Sequence, residues 1–383
     1  MQTSGINFIN FNIKKHSSFV KKKLTSIIKS KHEVVNSLSQ NYTNNFSKKF
    51  LSKYKKVSNY RIIGMGGSIL GAQAIYDFLK HKIRNNFVFV DNLQVKPIKE
   101  KKNFTNLIVS KSGNTIETIV NTNILIKKKD RNIFVTENKN SYLLSLAEKL
   151  KSDIIHHNNY IGGRYSVLSE VGMLPAELMG LKASNFRQLN NLIKNKRFIN
   201  SLISNVSAIL YLIKNKKFNS VIINYDEKSK NLFNWYQQLV AESLGKKKKG
   251  LLPVISSMPK DNHSTMQLYL DGFKNNFFTF FYSHENNSSK INNDTVLLEQ
   301  KFLKNKDINQ IMFAQKKATE IVFKKKNIPF RSFEIKKRDE KTLGELFCFF
   351  ILETILIGKT INVNPFDQPA VELIKKETKK ILI

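Results

Sequence analysis

The densest group of reactive side chains lies between Ser110 and Thr118: Ser110, Ser112, Thr115 and Thr118 supply four hydroxyls and Lys111 an ammonium, and Ile116, Ile119 and Val120 open a helical apolar face. Capping that helix needs one hydroxyl, and Glu117 already sets an acid in its first turn. The surplus hydroxyls suit an anion held at a helix N-terminus. No glycine–lysine P-loop accompanies them, so a terminal sugar phosphate fits better than a nucleoside triphosphate. A second anion-directed turn is Gly64-Met65-Gly66-Gly67-Ser68, where backbone amides gather at a helix start. Asp91 stands where the ribose-binding acid of a dinucleotide site belongs. Ile69, however, occupies the third-glycine position, which argues against a nucleotide cofactor.

Three further segments carry charge or proton-transfer capacity. In Gly162-Gly163-Arg164-Tyr165-Ser166, paired glycines let the backbone approach closely and set beside it one of only eight Arg among 64 basic residues. Arg offers planar, multi-donor anion contact that Lys does not, although a surface Arg after a turn explains the residue equally well. Glu242 sits near the end of the helix NLFNWYQQLVAESLG, which Gly245 terminates. Leu232, Tyr236, Leu239, Val240 and Ser243 form the inward stripe, leaving Glu242 at the border, where a carboxylate reaches a cleft. The negative helix end raises its proton affinity and the lysines 246 to 249 oppose this, so its protonation stays open. His263 follows the loop Met258-Pro259-Lys260-Asp261-Asn262; a lone His there is more often structural than catalytic. Finally, Asn364-Pro365-Phe366-Asp367-Gln368 turns into a helix that carries Lys375, with Asp367 or Gln368 available as its cap.

These loops need a scaffold, and the apolar runs describe one. RIIGMGGS, NFVFVD, NLIVSKSG and NIFVTEN are short strands separated by amphipathic stretches, which indicates a parallel sheet with helices on both faces. A second set, VIINY, LLPVISS, FFTFFYS and FRSFEI, repeats the plan after a helical stretch from about residue 165 to 217. The segment before about residue 55 is polar and reads as helical. The glycine and hydroxyl loops both leave carboxyl ends of strands in one sheet, so they face one crevice.

Composition bounds the function. With 383 residues, 41% hydrophobic and 24% charged, the chain has room for two ordinary domains. A net charge of +35 raises a polyanion-binding reading, but the excess is Lys scattered among Asn, Ile and Phe, which share A/T-rich codons. Nucleic-acid readers lean on Arg, and no such motif is present, so neither nucleic acid nor membrane is expected as a partner. Cys348 is the only cysteine and lies in LFCFFILETILIG, a run too short to span a bilayer and interrupted by Glu353; it reads as a buried core helix. No signal-peptide pattern opens the sequence, and a cytoplasmic location is the expectation.

Taken in order, GMGGS, SKSGNTIET, GGRYS, ESLGK, NHSTMQLYLDG and NPFDQPAVELIKK resemble the motifs of the phosphoglucose isomerase family from about residue 60 to 376. GGRYS and FDQxxVExxxK are specific to that family, whereas the two earlier loops are shared by sugar-isomerase (SIS) domains generally. The resemblance implies an α/β protein of two SIS-type domains, each a parallel five-stranded sheet between helices in three αβα layers. It divides the chain into an N-terminal segment (1–45), a first domain with the phosphate loops (46–190), a second carrying Glu242 and His263 (191–340), and a C-terminal helical segment with Gln368 and Lys375 (341–383). It also implies a homodimer that uses neither cofactor nor metal. By motif, Ser110, Lys111, Ser112 and Thr115 hold the phosphate, and Gly67 and Ser68 line the sugar. Glu242 moves the proton between C1 and C2 through a cis-enediol. His263, reaching from the partner subunit, and Lys375 assist ring opening. Arg164 stabilises the enediolate, and Gln368 contacts substrate. Ala370 departs from the family's usual Gly, Pro369 is unusual beside it, and Glu170 replaces a usually small residue. A bifunctional phosphoglucose/phosphomannose isomerase and a non-catalytic sugar-phosphate sensor are the alternatives; the latter has no use for Glu242, Arg164, His263 and Lys375 together.

Overall fold

The structure is a computed structural model that describes residues 3–13, 15–95, 103–285 and 287–383. Two five-stranded sheets organise it. The first comprises β2 (Asn59–Gly64), β3 (Asn86–Val90), β4 (Thr105–Val109), β5 (Arg131–Thr136) and β6 (Asp153–His156), in the order β3-β2-β4-β5-β6 and parallel throughout. The second contains β7 (Asn219–Asn224), β8 (Leu252–Ser257), β9 (Asn276–Ser283) and β10 (Phe330–Ile335) as parallel strands, with order β10-β9-β7-β8. Every residue of β4 and β9 is buried, as central strands covered on both faces must be.

Two strands lie outside the sequence expectation. β1 (Ile6–Ile9) pairs antiparallel with β10, so the N-terminal segment, expected to be helical, also contributes the edge of the second sheet. Its four residues alternate inward Ile6 and Phe8 with less buried neighbours, a period-two pattern too short to register against the surrounding asparagines. The other is β6, a four-residue edge strand.

The apolar run around Cys348 forms the helix Glu340–Thr360, in which every residue from Thr342 to Gly358 is buried. It packs against the Glu242-bearing helix Lys230–Leu244, and a single apolar cluster runs from Ile62 and Phe78 of the first half through Leu232 and Phe347 to Phe281 and Phe333 of the second. The two sheets therefore share their largest apolar cluster, and each has a smaller one of its own on its other face. Among the described residues no helix is long and apolar enough to cross a membrane.

Candidate active site

The first sheet reverses direction between β2 and β4, and ligands of open α/β sheets bind beyond the carboxyl ends of strands at such a point. Gly64 is in register with Val109, so the glycine turn and the hydroxyl loop leave the sheet at the same level. Gly113 is locked as glycine twice over: its φ is +64°, and a Cβ there would overlap the Ser141 side chain. That turn brings Ser110 and Thr115 together, their hydroxyls sharing a hydrogen bond at 3.0 Å. Ser112 Oγ, exposed, accepts from the Asn114 amide at 3.3 Å. Thr115 is the N-cap of the helix Ile116–Leu125, yet its side chain makes no capping bond. The capping explanation for these hydroxyls therefore fails locally, and the helix N-terminus stays available to an anion. Lys111 is turned aside: its ammonium donates to the Asn159 carbonyl at 2.8 Å and pairs with Glu137 at 3.2 Å.

The glycine turn meets Arg164 directly. A Cβ on Gly67 would overlap the backbone of Gly163, so only glycine lets the turn Gly66–Ser68 lie against the turn Gly163–Leu168. Arg164 is 1% exposed, and its five N–H donors all find acceptors. Nε donates to Ser243 Oγ (2.7 Å); one terminal nitrogen donates to Glu242 Oε1 (3.0 Å) and Gln368 Oε1 (2.8 Å); the other donates to the carbonyls of Pro365 (2.6 Å) and Asp367 (3.1 Å). Trp235 Nε1–H donates to the Arg164 carbonyl at 3.2 Å, fixing the backbone as well. Beside it, burial pushes the Tyr165 phenol up to about 12, so it stays protonated and can donate to Pro365 O at 3.0 Å.

Glu242 occupies the border position that the helical stripe gives it, its side chain 24% exposed while Leu232, Tyr236, Leu239, Val240 and Ser243 are buried. One carboxylate oxygen faces Arg164; the other accepts from Gln238 Nε2 at 2.8 Å. Gln238 reaches back to the glycine turn, where a Cβ on Gly66 would press on its amide. The helix ends at Leu244 with Gly245 as its C-cap, as expected. Lys246 then does something that sequence reasoning missed: it clasps the segment before Gln368, donating to Ser243 O at 3.0 Å and to Asn364 O, and pairing with Asp367 at 2.9 Å. This hydrogen bond holds the Asp367 carboxyl below the usual aspartate range. Lys249 donates to Ile361 O at 2.9 Å, and Phe366 stacks on His32 with ring centroids 4.0 Å apart.

Gly67, Arg164, Glu242 and Gln368 thus form one contact chain, and the glycine turn that carries Gly67 and Ser68 leaves the sheet on the strand beside that of the Ser110–Thr115 loop. His263 and Lys375 are not gathered into it within a single chain. His263 ends the exposed turn Lys260–His263, and its side chain makes no hydrogen bond or ion pair among the described residues. Among the described residues Lys375 pairs only with Glu372, at 2.7 Å, on a helix, Val371–Leu382, that buries no residue. Gln238 was legible in principle, since four residues before Glu242 on a helix is contact spacing. Lys246 was not, because Asn364 and Asp367, through which it clasps that segment, are far from it in sequence.

Residues 22–383 match the family model described as phosphoglucose isomerase. A glucose-6-phosphate isomerase of Methanocaldococcus jannaschii is 33% identical over 354 residues, 85% of either chain, and one of Campylobacter jejuni is 30% identical over 88% of either chain. Among solved structures, a hypothetical protein from Thermus thermophilus superposes with a TM-score of 0.81 at 22% identity, covering 95% of this chain and 94% of that one. A glucose-6-phosphate isomerase from Chlamydia trachomatis gives a TM-score of 0.71 at 19% identity, covering 98% and 80%. At those identities the superpositions speak for the fold.

Proposed function

The chain belongs to the phosphoglucose isomerase family, and on that premise we propose that it interconverts glucose 6-phosphate and fructose 6-phosphate without a cofactor, with Glu242 as the proton carrier. The observation that supports this most is the placing of the Glu242 carboxylate 3.0 Å from a fully buried guanidinium and beside the glycine turn. In this reading the phosphate rests on residues 110–115 at the helix N-terminus. Once the ring is open, Glu242 takes the proton from C2 of the aldose and the electron pair moves toward the C1 carbonyl. The resulting cis-enediolate is stabilised by Arg164; the O2 hydroxyl proton passes to O1, and the proton held by Glu242 returns to C1 as the C2 carbonyl forms, which gives the ketose. One base that both takes and returns a proton needs no other redox partner. A fixed cation at the developing oxyanion acts without reorganisation.

His263 and Lys375 complete ring opening only if they arrive from elsewhere than their present exposed positions, which fits a homodimer in which His263 crosses the interface. A cytoplasmic location accords with a glycolytic substrate. The positive field of the chain would steer an anionic substrate inward.

A coupled assay of glucose 6-phosphate formation tests the reading. Glu242→Gln keeps the shape but cannot carry a proton, and we expect it to lose nearly all kcat while still binding substrate. Ser112→Ala should chiefly raise KM. Full turnover by Glu242→Gln would remove the base assignment. Mannose 6-phosphate serves as the comparison substrate, and turnover comparable to that of fructose 6-phosphate would favour the bifunctional branch.

A further inference from the structure

The polypeptide that carries Arg164 runs from the end of β6 to the helix Glu170–Leu178. Both of its ends meet in one buried cluster outside the contact chain described above. At the first end, His157 Nε2 lies 3.0 Å from the Ile161 carbonyl. At the second, Glu170 opens the helix with a fully buried side chain. Its carboxylate accepts from the Tyr42 hydroxyl at 3.0 and 3.2 Å and from the Asn45 amide at 3.3 Å. His157 Nδ1 faces Glu170 Oε2 at 3.5 Å, and neither side chain is exposed at all. Arg187 closes the same corner: it donates to the Leu168 carbonyl at 3.0 and 3.3 Å and to Tyr42 O at 2.9 Å, with its guanidinium over the Tyr42 ring.

A carbonyl only accepts, so the proton of that first bond is on Nε2. Burial works to raise the Glu170 pKa, but the contacts with His157 and Tyr42 outweigh it and hold the carboxyl below its ordinary value, so the group facing Nδ1 is an anion. The residue that fixes Ile161 thus packs against the residue that follows Ser169, at an ion-pair distance that is not a hydrogen bond. Arg164 lies between those two points and touches none of the cluster.

We infer that His157, Glu170 and Tyr42 are positioning residues for Arg164, a buried clamp across the two ends of its segment that keeps the guanidinium where the enediolate charge develops. The inference rests on the isomerase reading. A guanidinium displaced by a fraction of an ångström still leaves the phosphate loop intact, so the loss belongs to the transition state and not to substrate capture.

The test compares wild type with Glu170→Gln, which keeps size and removes charge, and with Tyr42→Phe, which removes one donor and is less disruptive to folding. Three readouts are taken: kcat and KM for fructose 6-phosphate, affinity for a phosphorylated sugar acid whose carboxylate mimics the enediolate, and the melting midpoint. For Glu170→Gln we expect kcat to fall about ten- to a hundredfold with KM within about twofold, and sugar-acid affinity to fall in parallel with kcat. Tyr42→Phe should move the same two quantities in the same direction by less. Asn132→Ala, a buried change beside Asn106 at the amino ends of the strands of the first sheet, should lower the midpoint and leave kcat alone. An active wild type matched by both clamp variants in kcat and sugar-acid affinity overturns the clamp alone, as does a loss confined to KM or a loss of kcat equalled by Asn132→Ala. A wild type inert toward both hexose phosphates overturns the isomerase reading and the clamp with it.

Discussion

Arg164 is the residue whose environment says most about the chemistry. All five of its donors are spent inside the protein, on a hydroxyl, a carboxylate, an amide and two carbonyls. A lysine has three donors in a compact tetrahedral head and cannot reproduce that fork. Arg164→Lys should therefore lower kcat about a hundredfold, read in the coupled assay, and also lower the melting midpoint, because the Pro365 and Asp367 carbonyls lose their donors. The Arg itself was visible in the sequence as a rarity among lysines, and Glu242 as a carboxylate at the border of an apolar stripe. What could not be read was their contact: Arg164 and Glu242 are 78 residues apart, and nothing in either local pattern points to the other. The expectation that Lys111 addresses the phosphate meets a similar limit, since Glu137, the residue that turns it aside, lies on the neighbouring strand's exit and not in its own loop.

Among the elements, the eight strands that the sequence announced all form, the partly exposed edge strands β3 and β8 included, and the central ones are the most plainly marked. β2, β4, β5, β7 and β9 are continuous apolar runs, and each was readable without a partner. β1 and β6 were not, because an edge strand of four residues buries too little to impose a pattern. The turns that carry the site were readable as glycine clusters, but the reason for each glycine is tertiary. Gly67 is glycine because Gly163 lies against it. Gly67→Ala should cost about 1–3 kcal/mol in a urea titration, since backbone and not a flexible side chain must yield. It should also lower turnover, because the two turns it would separate carry Ser68 and Arg164, which we propose line the sugar and stabilise the enediolate.

For the molecule as a whole, the buried and half-buried carboxylates set the response to acid. Burial works to raise Glu170, Glu334, Asp153 and Asp339, but hydrogen bonds and cationic neighbours hold all four below the ordinary values of 4.5 and 3.8. A depressed folded value means that the unfolded chain binds protons first as pH falls. The stability these groups contribute is complete above the ordinary values and disappears as pH drops through the depressed ones. Glu345 and Asp77 run the other way, raised mainly by burial, so acidification relieves them first. We expect the urea midpoint to hold or rise slightly as pH is lowered from 7 toward about 5 and to collapse below about 4; a steady decline from neutrality would contradict this assignment. The common apolar cluster beneath both sheets has a further consequence. Domains that meet across small polar interfaces can melt in turn, whereas here the helix Glu340–Thr360 and the cluster around it belong to both halves at once. Each sheet keeps a smaller cluster of its own on its other face, but loss of either removes one wall of the shared core, so the hydroxyl loop and the Glu242 carboxylate are expected to be lost together.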